Sequence, residues 1–184
     1  MDALTLLTSR SSEKNLTLPA PNPEQLEKIF QAALHAPDHG KLKPYRFIVI
    51  ENEGLSKLSD LLKRAVIELD LGEKRLQKAE KFSQKAPMVI AVVAKIDKTI
   101  EKVPAWEQML CAGSATYAMQ LAANAQGFDN VWVTAPWVNG TELRQALHCK
   151  ANDKVIAFLL IGTAVEKRLR EPKSADLTKF VSYL

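Results

Sequence analysis

"APMVIAVVAK", residues 86–95, is uninterrupted by any polar side chain from Met88 to Ala94. A strand with one wet face alternates apolar and polar residues, because successive side chains point to opposite sides. This one does not alternate, so it reads as a strand buried on both faces and central in its sheet. "KVIAFLLIGT", residues 154–163, has the same character. Two such strands need helices both above and below them.

The flanking segments supply those layers. "PYRFIVIEN" from Pro44 is rich in aromatic and β-branched residues and predicts a strand; "NVWVTAP" from Asn130 predicts a short one. Asp2–Ser9 predicts a short helix with Leu4 and Leu7 on one side. After the rigid "LPAPNP", Asn22, Pro23 and Glu24 form a helix start: a capping side chain, a proline in the first turn and an acid near the dipole. Leu26, Ile29, Phe30, Ala33 and Leu34 then recur at helical spacing. Gly54 to Gln84 carries Leu58, Leu61, Leu62, Ala65, Val66 and Leu69 at the same period, and Gly72 divides it into two helices. The longest helix runs from Pro104 to a stop at Gly127. Apolar and small residues surround it, which predicts a buried central helix. Thr141–Leu147 is a further short helix. Strands separated mostly by helices give an α/β or an α+β sandwich. The apolar end "FVSYL" lies beyond a polar stretch, and docking on a second subunit would account for it.

Composition bounds the function. At 184 residues, 47% hydrophobic and 25% charged, residues 1–184 are expected to form a single folded domain. The net charge of +4 comes from 25 basic and 21 acidic residues spread through the same segments. No basic stripe or set of stacking aromatics of the nucleic-acid-binding type is present. No apolar run approaches the roughly 20 residues of a membrane helix, and no signal-peptide pattern opens the chain, so a cytoplasmic protein without nucleic-acid or membrane partners is expected. Cys111 and Cys149 give no disulfide framework, which suits a reducing compartment. His35 and His39 stand four apart as zinc ligands do, but Pro37 interrupts the helix and no third ligand is in register, so no metal site is expected. Cys111 lies in an apolar helix, the setting of an inert thiol rather than a nucleophile. Gly-rich dinucleotide and P-loop patterns are absent.

Two segments concentrate chemistry. Arg10, Ser11, Ser12 and Lys14 follow the first helix with two cations and two hydroxyls, beside Glu13. Such a set suits a phosphate and a chain of hydroxyls, and equally a solvated helix end. "APDHGKLKPYRFIVIE", residues 36–51, places His39, Lys41 and Lys43 on a loop that enters a strand.

Together these segments resemble the nitroreductase family of FMN-dependent NAD(P)H oxidoreductases. That family opens with Arg, often a second Arg, then Ser, any residue and Arg or Lys; this chain has Arg10, Ser11, Ser12, Glu13 and Lys14. Its Ala-Pro-Ser-Ser loop leading to a strand is matched by Ala36 to Tyr45. Its Ala/Gly-rich helix running into a Trp-containing strand is matched by "GSATYAMQLAANAQGFDNVWV", residues 113–133. The pieces occur in the family's order over nearly the whole chain and look most like the minimal bacterial YdjA-type members.

The resemblance implies an α+β sandwich with a mostly antiparallel sheet flanked by helices, in an intertwined homodimer. It implies FMN shared between two subunits, with Arg10, Ser11 and Ser12 on its phosphate and ribityl chain. His35 and His39 come from the helix-end loop, and Val131, Trp132 and Val133 line the flavin from the strand. Leu121, Ala122, Ala123, Asn124, Ala125 and Gln126 are the implied nicotinamide-nucleotide contact. Electrons pass from NADH or NADPH through the flavin to nitroaromatics, quinones or related acceptors by a ping-pong route. No protein nucleophile is needed, and Lys14 or Lys41 stabilises negative charge on the reduced ring. Trp106 and Glu107 are candidates to cap the substrate pocket, and Arg168 and Arg170 to reach the phosphate; core packing and a solvated charge run are the competing readings. Lys41 stands where many relatives have Asn, Lys43 where they have Gln, and Asp129-Asn130 replaces a glycine-rich turn. Val133 replaces a residue often polar or basic, so pocket and redox tuning are where this chain departs. A flavin-binding sensor or store without turnover is the alternative function.

Overall fold

The computed structural model describes residues 2–166 and 175–184. In chain order it contains α1 (Ala3–Ser9), β1 (Leu16–Thr17), α2 (Pro23–Ala33), β2 (Tyr45–Glu51), α3 (Glu53–Glu68), α4 (Glu73–Glu80), β3 (Met88–Ala94), α5 (Ala105–Ala125), β4 (Asp129–Val133), α6 (Thr141–Ala146) and β5 (Lys154–Ala164). Short 3-10 turns join several of them, among them His39–Lys41 and Phe82–Gln84.

The five strands form one sheet in which every described pairing is antiparallel. β5 is its hub. It pairs β3 along Lys154–Ile161, β4 along Phe158–Gly162 and β1 at Thr163–Ala164, while β2 closes the far side of β3. The apolar run that opened the sequence is buried at every position. Val89, Ala91 and Val93 face a core with Leu58, Leu62 and Val66 of α3, and Ile90, Val92 and Ala94 face one with Ile29 of α2 and Ala112, Ala115 and Met119 of α5. The sheet is thus sandwiched between helical layers, an α+β arrangement.

Local signals explain the boundaries. Asn22 caps α2 in a complete box: its side chain accepts the Gln25 N–H while the Gln25 side chain accepts the Asn22 N–H. Gly72 sits at φ 81°, which a residue with a Cβ adopts only with strain, and there α3 gives way to α4.

α5 differs from the sequence expectation. Cys111, Ala112, Ala115, Thr116, Met119 and Ala123 are buried against the sheet, yet Trp106 is 60% exposed, Leu110 61% and Tyr117 40%. The small residues let the helix approach the sheet on one side, while the described residues lay no second layer over the other. The terminal Phe180, Tyr183 and Leu184 are exposed as well.

Candidate active site

The cation-and-hydroxyl loop owes its position to backbone bonds. Asp2 caps α1 by accepting the N–H groups of Leu4 and Thr5, and the helix ends at Arg10. The chain then crosses to β4, where the Glu13 N–H donates to the Asn130 carbonyl at 3.0 Å. Arg10, Ser11 and Ser12 are half-buried and Lys14 is exposed.

β4 is itself held by a buried amide pair. The Gln120 Nε2 donates to Asn130 Oδ1 at 2.8 Å, and Asn130 Nδ2 donates to the Gln120 carbonyl at 3.0 Å. Asn130 is fully buried and Gln120 is 4% exposed. One residue therefore ties the Arg10–Lys14 loop, the strand and the central helix together.

Strand alternation then sends Val131 into the core and Trp132 outward. The Trp132 indole N–H donates to the Ile156 carbonyl at 2.9 Å, which fixes the ring in the gap left by Gly113. Lys14, Val131, Trp132 and Val133 share the wall of a cavity of about 770 Å³. The rest of the lining was not foreseen: Lys74, Lys78, Lys81 and Lys85 are part of it, and among the described residues no carboxylate is. Their spacing of 4, 3 and 4 is legible in the sequence, although only Lys74 and Lys78 lie on α4 and Lys81 and Lys85 flank the turn after it.

Trp132 also borders a second, apolar groove of about 890 Å³ along α5, lined by Trp106, Leu110, Tyr117 and Leu121 of that helix and by His35. His39 and Lys41 lie elsewhere, on the turn facing the start of α5. The His39 Nδ1 is 2.6 Å from Glu107 Oε2, so Glu107 engages this turn instead of capping the groove. The Asp38 carboxylate accepts the N–H groups of Leu42 and Lys43 at 3.0 and 2.8 Å. It thereby holds a loop in which Lys41 and Lys43 have φ of 54° and 46°, unusual for residues other than glycine. Within one chain these groups are separate from the Lys14 cavity.

Leu121–Gln126 form the last turns of α5. Leu121 reaches the apolar groove, whereas Ala123 is packed in the core. The Asn124 amide donates to the Phe128 carbonyl, and that of Gln126 to the carbonyls of Gln25 and Ala122. Arg168 and Arg170 lie outside the described residues.

Burial pushes the Cys111 thiol up to about 11, and the Asp38 carboxylate adds to the effect; burial raises the Cys149 thiol too. Neither is an activated nucleophile. Among the described residues no group of three or more His, Cys, Asp or Glu side chains is placed to hold a metal, and no helix is long and apolar enough to cross a membrane. The chemistry on offer is cationic and positional: lysines and hydroxyls for anionic oxygens, with a tryptophan and two valines for a flat apolar surface.

Comparison with known proteins agrees in kind. The profile of the "Nitroreductase family" matches residues 7–163. A Haemophilus influenzae protein named "Putative NAD(P)H nitroreductase" is 65% identical over 184 residues, covering the whole of both chains. Its Escherichia coli K12 counterpart, "Putative NAD(P)H nitroreductase YdjA", is 41% identical over 183 residues, again covering both chains in full. Among solved structures, an "FMN-dependent Nitroreductase" from Clostridium difficile superimposes with a TM-score of 0.71 at 26% identity over 98% of each chain. With its ordered sequence signatures, its antiparallel sheet between helices and the gathering of Lys14 with Val131–Val133, the chain belongs to the nitroreductase family of oxidoreductases.

Proposed function

We propose that this protein is an FMN-dependent oxidoreductase that takes electrons from NADH or NADPH and delivers them to nitroaromatics, quinones or similar acceptors in two alternating half-reactions. The observation that carries this reading is the Lys14 cavity: a cationic chamber lined by Trp132 and two valines and reached by Lys14 from a loop whose Glu13 N–H is hydrogen-bonded onto the same strand. The donor set fits FMN. Arg10, Ser11 and Ser12 supply charge and hydroxyls for a phosphate of about −2 charge and a polyol chain. Val131, Trp132 and Val133 supply a surface for the ring, and Lys14 places a cation where negative charge gathers on reduction. Bound FMN supplies hydride acceptance from the nicotinamide and electron delivery to the second substrate. The side chains bind, orient and polarise.

The assembly is a homodimer with the flavin at the subunit interface. Two features support it: the exposed apolar face of α5, and the separation of His35, His39 and Lys41 from the Lys14 cavity of their own chain. A second copy seated on α5 would cover the first and bring the others toward a shared site. Residues 1–184 act as one domain in this reading, and the two free thiols suit the cytoplasm. Leu121–Gln126 contact the nicotinamide nucleotide in this reading; the Asn124 and Gln126 amides donate within the chain, and the Asn124 Oδ1 has no partner among the described residues. The test is the visible spectrum of freshly purified protein. A yellow flavin band that bleaches on anaerobic addition of NADPH or NADH, and returns with a nitroaromatic or a quinone, is expected. A band that persists marks a flavin sensor or store instead.

A further inference from the structure

Lys74, Lys78, Lys81 and Lys85 form a row facing the cavity that β4 and Lys14 close from the other side. Among the described residues none of the five lysines forms an ion pair with a carboxylate. Such a row works against the fold. Like charges four apart on a helix repel, as Lys74 and Lys78 do on α4, and Lys81 and Lys85 follow on the turn beyond its end. The chain has 21 acidic residues with which to neutralise the wall, and Glu73 and Glu80 lie on the same helix, yet neither lines the cavity. Glu73 instead accepts a hydrogen bond from Gln77. Among the described residues the charged groups of the lining are all cationic, and such a lining beside a tryptophan focuses potential into the chamber and attracts the opposite charge.

We propose that this lysine row is an anion-recognition wall of the substrate chamber, holding the phosphate or carboxylate groups of the molecule that docks over the flavin. It rests on the flavin reading above and adds a substrate class to it: molecules with a flat redox-active ring and an anionic tail. Two sources share that chemistry. One is the diphosphate, and in NADPH the additional phosphate, of the reduced nicotinamide dinucleotide. The other is a carboxylate or phosphate on the electron acceptor. The lysine Nζ atoms act as point charges on flexible stems, so the wall accepts anions of several shapes.

The test uses the full-length holoprotein and a triple variant, Lys74→Gln, Lys78→Gln, Lys81→Gln, whose three positions are exposed. Stopped-flow rate constants for flavin reduction are measured with NADPH, NADH and an uncharged N-benzyl dihydronicotinamide. Those for reoxidation are measured with nitrobenzene and para-nitrobenzoate. If the row holds the dinucleotide, the ratio of the NADPH rate constant to that of the uncharged reductant falls about tenfold in the variant, and its dependence on ionic strength flattens. If it holds the acceptor, the ratio of para-nitrobenzoate to nitrobenzene falls instead. Calorimetric titration with inorganic pyrophosphate reads the wall without turnover, and the variant binds several-fold more weakly. Ratios, salt dependence and pyrophosphate affinity all within twofold of the parent overturn the proposal. A parent protein that purifies colourless and takes up no FMN overturns the flavin reading first, and this one with it.

Discussion

Replacing Asn130 by Leu tests whether the buried amide pair holds the site strand. The substitution keeps the side-chain volume near its original value but removes the acceptor that takes the Gln120 Nε2 at 2.8 Å. Gln120 is 4% exposed, so its orphaned amide finds little water to replace the partner. An unsatisfied buried group of this kind costs about 1–3 kcal/mol, and about 2 kcal/mol is taken here. For a chain of this size that lowers the melting temperature by roughly 4–8 °C. The companion variant Gln120→Met, Asn130→Leu removes both polar partners, and replacing both ends of a buried hydrogen bond by apolar groups of similar shape is close to neutral. Thermal melts followed by circular dichroism, with urea midpoints beside them, should therefore rank parent, double variant and single variant in order of falling stability. A single variant that melts within about 1 °C of the parent, or a double variant less stable than the single, would refute the reasoning, because the orphaned amide would then not be the source of the cost.

Gly162→Ala should destabilise by about 1–3 kcal/mol in urea titration, since the new Cβ would sit 2.7 Å from the Thr17 carbonyl and 2.8 Å from Pro87, and neither is a flexible side chain. Asp38→Ala releases the Leu42 and Lys43 N–H groups and lets Lys41 and Lys43 relax from positive φ; FMN affinity, followed by fluorescence quenching, should weaken about tenfold with little change in melting temperature. Leu110→Glu places a charge in the exposed apolar face of α5, and if the proposed homodimer forms there, light scattering should show it shifted to monomer. The raised Cys111 thiol favours the neutral form in the fold, so its contribution to stability is complete below pH 9 and is lost as pH rises through about 11. The urea midpoint of the parent should fall over that window, and that of Cys111→Ala should fall less.

The fold was legible where one segment carried its own signal. Met88–Ala94 and Val155–Ile161 are apolar without interruption because both faces of those strands meet helices, and the Asn22 box and Gly72 are local backbone devices. What stayed hidden depends on distant partners. β1 has only two residues, and its pairing with Thr163 and Ala164 cannot be read from so short a run. The hold of Gln120 on Asn130 joins two polar residues that, taken singly, look like a helix surface and a turn. In the proposed site, Arg10–Lys14 and Val131–Val133 rest on the family's ordered signatures, since two cations and two hydroxyls alone equally describe a solvated helix end. The lysine row repeats at helical spacing, but following apolar residues through Gly54–Gln84 treats charges as the wet face and passes over it.

α5 shows why the remaining ambiguity has a physical origin. A helix whose apolar residues occur all round must bury all round, but sequence does not say against what. Here Ala112, Ala115 and Ala123 meet the sheet while Trp106, Leu110 and Tyr117 meet no layer among the described residues. The large residues thus lie on the side that a single copy leaves open. Trp132 borders the groove beside them and also the Lys14 cavity, with its indole fixed to Ile156. A partner seated in the groove would therefore press on the ring that walls the cavity. In the proposed dimer, subunit association and FMN binding would share a side chain, and a charge introduced at Leu110 should loosen FMN together with the dimer instead of leaving a competent monomer.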